Sequence, residues 1–173
     1  MDWSLTRLLG ALVMDQANSI EFLRHTLATV AYRGAKTLRD APADFATFHA
    51  SDGTRTPGKI LAHIGDLFDW ALSIADGRME WHDSEPLPWT DEVARFFRTL
   101  QAFDARLASG LPLGMSVEKL FQAPVADALT HIGQIGMLRR MAGSPVRGES
   151  YFRADIVTGR LGPEQTPPKR EFD

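Results

Sequence analysis

Residues 55–72 read RTPGKILAHIGDLFDWAL, and this stretch decides the fold. Thr56 is an N-cap residue type, and Pro57 suits the first helical position, where its fixed φ and missing N–H do no harm. Apolar residues then recur at helical spacing: Ile60, Ile64, Leu67, Phe68, Ala71 and Ile74. The pattern predicts a helix running to about Asp76, with Gly77 as its stop. One polar side chain interrupts the apolar side. His63 sits at the edge of the stripe, in line with Leu67 and Trp70.

Working outward, the chain repeats this grammar. Breaks at 40–45 (DAPADF), 50–58 (ASDGTRTPG), 75–89 (ADGRMEWHDSEPLPW) and 109–116 (SGLPLGMS) separate helix-length segments, with no strand-like alternation between them. A first helical region spans about Leu5 to Arg39, long enough that a break near Ala17–Ser19 is plausible. A third helix follows Pro88, with Thr90 as cap and Asp91 and Glu92 in its first turn, and runs to about Ala108. A fourth runs from Ser116 to Gly143, before Pro145, with Pro124 bending it or forcing a new start. Long amphipathic helices joined by short connections predict an all-α antiparallel four-helix bundle. The expected layout is one domain over residues 1–173, with a bundle core at about 20–143, an extra N-terminal helical segment and an irregular C-terminal arm over 144–173. The last ten or so residues read as a surface arm or a partly disordered tail.

The composition is that of an ordinary globular domain: 44% hydrophobic and 24% charged residues, with a formal net charge of −3. There is no basic footprint for nucleic acid. With no cysteine in the chain, disulfides, zinc–thiolate sites and a cysteine nucleophile are excluded. No run of about 18 apolar residues predicts a membrane span. The first residues lack a signal-peptide pattern, so a cytoplasmic location is expected. No phosphate-binding glycine loop or nucleophile elbow is present.

The candidate chemistry lies where the last helix meets the second. In DALTHIGQ (127–134), Asp127 and His131 are four residues apart and point the same way. Ala128, Ile132, Ile135, Leu138 and Ala142 form that helix's apolar stripe; His131 falls inside it and Asp127 at its margin. Ligand sites in bundles are built from inward side chains on facing helices. His63, Asp127 and His131 are therefore the candidate metal ligands. Two imidazoles and one carboxylate with open positions suit non-haem Fe(II), and also Zn²⁺ or Ni²⁺. The plainer reading is a hydrogen-bonded core histidine with an acid one turn away. Asp66, three residues after His63, is either an outer partner of that imidazole or a surface acid. Gln134 is more readily a solvated helix-edge residue than a donor to a metal-bound water. Arg139 faces the apolar stripe, so it pairs with an acid between helices or binds an anionic group. Trp70, Trp81 and Trp89 read as packing and loop anchors. His25, His49 and His82 have no partner at ligand spacing and read as surface or loop residues.

The segments RTPGKILAHIGDLFDWAL (55–72) and DALTHIGQIGMLRRMAG (127–143) resemble the DinB/YfiT-like family of metal-binding four-helix bundles, over roughly residues 20–143. The resemblance implies that His63 corresponds to the family's second-helix ligand and His131 to the second histidine of its last-helix pair. Asp127 stands where that pair has its first histidine. It implies a divalent metal cofactor and a small-molecule substrate. The chemistry implied is metal-dependent hydrolysis or transfer involving a low-molecular-weight thiol, which in a chain without cysteine must come from outside. It also implies a homodimer. The alternative is a non-catalytic, dimeric or stress-linked binding bundle with a structural or vestigial site, which the Asp127 departure favours.

Overall fold

The structure is a computed structural model that describes residues 3–172, and side chains from Gln16 onward. The outer ends of the expected domain, residues 1, 2 and 173, lie outside the described residues. The chain is predominantly helical. Helix α1 spans Trp3–Leu38, α2 Pro57–Ala75 and α3 Trp89–Ala108. A short helical turn, α4 (Val117–Leu120), passes through a π-helical turn at Phe121–Val125 into α5 (Ala126–Met141). Both α1 and α2 pack against α3 and α5, so α1 stands across the core from α2, and α2 lies beside α5. Phe45, Phe68, Phe96, Phe103, Leu27, Leu61, Ile64 and Ile135 are fully buried between them. At roughly 1.5–3 kcal/mol for each large apolar side chain removed from water, this core is the main stabilising term. Among the described residues, no helix is long and apolar enough to cross a membrane.

Helix α2 begins and ends where its sequence predicts. The Thr56 hydroxyl accepts the Lys59 N–H at 3.3 Å, and Pro57 is the first helical residue. Gly77 adopts φ 79°, so that its N–H reaches the Ile74 carbonyl and that of Arg78 reaches Ser73. All six residues of the apolar stripe are buried.

Four expectations are corrected. First, α1 is continuous through Ala17–Ser19, so there is no separate N-terminal helical segment. Those residues include neither glycine nor proline, and asparagine or serine in a helix costs only about 0.7 kcal/mol or less. Second, α3 starts at Trp89 with Pro88 preceding it, and Thr90 lies inside the helix. The start is tied down by the fully buried Glu92, whose carboxylate accepts the Leu87 N–H at 2.9 Å. Third, the last helix is not one uniform α-helix from Ser116, because Pro124 lies inside a π-helical turn that separates α4 from α5. The widened π-turn accommodates its missing N–H and its ring, and α5 follows without a gap. Fourth, of the two expectations for the end of the C-terminal arm, the described residues form a pinned surface arm and not a partly disordered tail. Gly148–Glu149 (β1) pairs antiparallel with Glu171–Phe172 (β2). Lys36 of α1 clamps this ladder, 2.8 Å from Glu149 and 2.7 Å from Glu171, while the Tyr32 hydroxyl donates to Glu149 at 2.5 Å.

Candidate metal centre

His63 reaches the site from the middle of α2, and Asp127 and His131 from the first turns of α5. His63 is held there because Ile60, Ile64 and Leu67 on either side anchor α2 in the core. Asp127 lies two residues beyond the π-turn, a local widening that often accompanies functional sites.

The three side chains converge. One Asp127 carboxylate oxygen lies 3.5 Å from His63 Nε2, and the other lies 3.5 Å from His131 Nε2. The two imidazole rings stand edge to face with centroids 4.9 Å apart. One ligand atom from each of the three falls within 4.8 Å of the others. Two atoms each about 2.1 Å from a tetrahedral ion are roughly 3.4 Å apart, so the carboxylate–imidazole spacings match shared coordination. The donor set of two nitrogens and one carboxylate suits a borderline or hard divalent ion. These residues could therefore hold a metal.

His131 is also held in an orientation that suits ligation. Its Nδ1 pairs with Gln134 Oε1 at 2.8 Å, which turns Nε2 toward Asp127 and His63. Gln134, read from sequence as a solvated edge residue, thus orients the buried imidazole from the solvent side.

Burial is graded across the site. The His131 side chain is 11% exposed, His63 22% and Asp127 46%, so the carboxylate marks the solvent mouth. Trp81, from the loop between α2 and α3, packs edge-on to His63 at 5.6 Å and to Trp70 at the same distance. Shallow depressions flank the mouth. One of about 370 Å³ contains Trp70, Asp127 and Thr130. The other, of about 220 Å³, contains Arg55, Lys59, His63 and Ser84.

A second group of acids and a histidine lies nearby. Asp66 is neither a surface acid nor a partner of His63. It is buried, accepting from the Ser84 N–H and hydroxyl at 2.9 and 2.7 Å and from Arg95 Nη2 at 2.5 Å. His82 is not partnerless, because its Nε2 lies 3.1 Å from Asp66 and 3.6 Å from Asp69. Arg95 occupies the middle of this group, reaching Asp69 at 2.8 Å and Glu92 at 3.4 Å. A guanidinium already provides the positive charge there, so Asp66, Asp69 and His82 read as an ion network around Arg95, running from buried Asp66 to exposed His82, and not as a second metal site. Burial pushes the Asp66 carboxyl up, but Arg95 and Ser84 outweigh it and hold the group below its ordinary value.

Arg139 does not pair with an acid. Its guanidinium donates to the carbonyls of Thr37, Arg39, Asp40 and Ser144, closing the C-terminal end of α1. Burial lowers its pKa from the usual arginine value. Trp89 anchors its loop edge-on to Phe45 at 5.4 Å, as its sequence position predicts.

Comparison with models of protein families, with curated proteins and with solved structures finds no match.

Proposed function

We propose that the chain is a four-helix bundle of DinB/YfiT-like type that holds a divalent ion, Zn²⁺, Ni²⁺ or Fe²⁺, at His63, Asp127 and His131. We further propose that it uses this ion as an enzyme acting on a small molecule. The observation that carries the reading is the 3.5 Å spacing of the Asp127 oxygens from both imidazole Nε2 atoms, with His131 Nδ1 committed to Gln134. A divalent ion there would supply Lewis acidity, drawing down the pKa of a water or of an external thiol. The reaction class that fits is hydrolysis, or transfer to a small thiol brought from outside.

The residues divide the work. Asp127 adds negative charge and, being half exposed, leaves the coordination sphere open on the solvent side. Trp81 and Trp70 wall one flank, excluding water there and offering flat apolar surface to a substrate body. The carboxylate at position 127, where the family's pair has its first histidine, favours a second reading, in which the ion is structural or the site vestigial and the bundle non-catalytic.

Metal analysis separates these readings. Protein purified without a metal-affinity tag is expected to carry about one ion per chain, lost in His63→Ala. In the Co²⁺-substituted protein, added mercaptoethanol is expected to produce a sulfur-to-cobalt charge-transfer band. Stoichiometric metal without that band points to a closed structural site. Absence of metal in both proteins removes the centre altogether.

A further inference from the structure

On the far side of α5 from Asp127, a groove of about 300 Å³ opens between α1, α5 and the C-terminal arm. Gly133 and Gly136 form its floor, and Arg33, Arg140 and Arg147 face it. In a protein of net charge −3 this concentration of guanidinium groups is unusual. Arg147 is paired with Glu171, but the nearby carboxylates do not neutralise Arg33 and Arg140. Glu149 is bound by Lys36 and Tyr32, and Glu171 by Lys36, with Arg147 at 3.4 Å. No carboxylate among the described residues lies within ion-pair distance of Arg33 or Arg140.

Arg33 is the informative residue. Its guanidinium stacks on the Tyr151 ring at 4.2 Å, which fixes its plane. Its Nε is fully buried and has no hydrogen-bond partner. A buried donor without an acceptor is destabilising, so this guanidinium is held at the groove at a cost, and its terminal nitrogens are left to meet a ligand. The glycines add an independent argument. Each costs a helix interior about 1 kcal/mol relative to alanine. Close packing does not require either one: a Cβ at Gly133 would meet nothing within 4 Å, and at Gly136 only the Thr37 methyl at 3.9 Å. What they do is keep the groove open. Leu129, Ile132, Met137 and Val146 add apolar wall.

We infer that this groove binds the oxyanion head of a small amphiphile, a phosphate or a carboxylate. Arg33 and Arg140 grip the head, and the apolar walls take the body. Guanidinium forks match both head groups, so the probes must tell them apart.

The test is calorimetric titration of the full chain with hexyl phosphate, hexanoate, inorganic phosphate and hexanol. One of the two amphiphilic anions is expected to saturate a single site, at least about ten-fold tighter than hexanol. Whichever binds tighter identifies the head group. Arg140→Ala, at an exposed position that does not threaten folding, is expected to weaken that binding about ten-fold. Gly133→Leu fills the floor and abolishes it, while His63→Ala leaves it unchanged. Three results would each overturn the assignment: no saturable binding of either anion, hexanol binding as tightly as the anions, or binding indifferent to both Arg140→Ala and Gly133→Leu.

Discussion

Gln134 Oε1 pairs with Nδ1 of His131 at 2.8 Å from a position three residues further along the same helix. An exposed amide thereby orients a buried imidazole. Replacing such an outer partner typically costs a metal site 10–100-fold in affinity. Gln134→Leu is accordingly expected to weaken Zn²⁺ binding by about that factor, read by competition with a chromophoric chelator. Gln134→Glu keeps an acceptor in place and is expected to retain affinity. Equal affinity in the leucine variant would show that Gln134 does not position the ligand.

Asp127 bridges the two histidines, so its removal leaves two ligands on neighbouring helices with nothing between them. Saturating Zn²⁺ at 100 times its Kd stabilises a folded protein by about 2.7 kcal/mol. The wild type is expected to show a metal-dependent rise in Tm that Asp127→Ala largely loses. Asp127→His is expected to keep or enlarge it, because imidazole is a good zinc ligand. Since the Asp127 side chain is 46% exposed, the metal-free Tm should barely change in either variant. A metal-free Tm that collapses would assign Asp127 a structural role instead.

The helices and the Asp127–His131 pair are legible in the sequence because each is a local, periodic signal, whereas joining His63 to that pair draws on its inward-facing position and on the family resemblance. The stripe of α2 and the four-residue spacing of Asp127 and His131 both follow from 3.6 residues per turn. The features that escape are those made by parts of the chain distant in sequence. A helical wheel turns Arg139 inward, but it carries no information that the open carbonyls at the end of α1 lie opposite. His82 has no partner at helical spacing because it is brought to Asp66 by a loop, pinned through Ser84. The β1–β2 ladder is two residues long on each side, too short for alternation to register. Gln134 is different: its spacing from His131 is visible, and only the greater prior weight of solvent on an exposed glutamine hides its role.

The Arg95 network governs acid sensitivity. Asp66 titrates below its ordinary value when folded. A depressed carboxylate contributes stability that is fully present above the unfolded-state pKa, near 3.8, and is lost as the pH falls through the lower folded value. Asp66→Asn is therefore expected to flatten the acid limb of the stability curve below about pH 4. Arg95→Met is expected to be far more damaging. It strands Asp66 and Glu92, which are 2% and 0% exposed, without their cation. Breaking a buried pair from one side costs roughly 3–5 kcal/mol, measurable as a lower urea midpoint at pH 7. A loss near zero would mean that the two acids find water or change protonation without penalty.

Arg139 closes the C-terminal end of α1 from α5, and this contact couples two elements about a hundred residues apart in sequence. Its side chain is buried, and apart from the Ser144 hydroxyl its partners are backbone carbonyls left open once the helix has ended. Arg139→Met preserves the apolar stem and removes the donors. The expected loss is about 2–3 kcal/mol, the usual penalty for leaving buried acceptors unsatisfied. Arg139→Lys supplies one compact ammonium in place of a planar fork that reaches several carbonyls, so it should recover only part of that loss. Hydrogen exchange locates the effect. Amides in the last turns of α1 and at 139–144 are expected to exchange faster in both variants, whereas those of α2 and α3 keep their protection relative to the lowered global stability. If lysine restored full stability, the site would require only a positive charge, and the multidentate cap would not be what secures the end of α1.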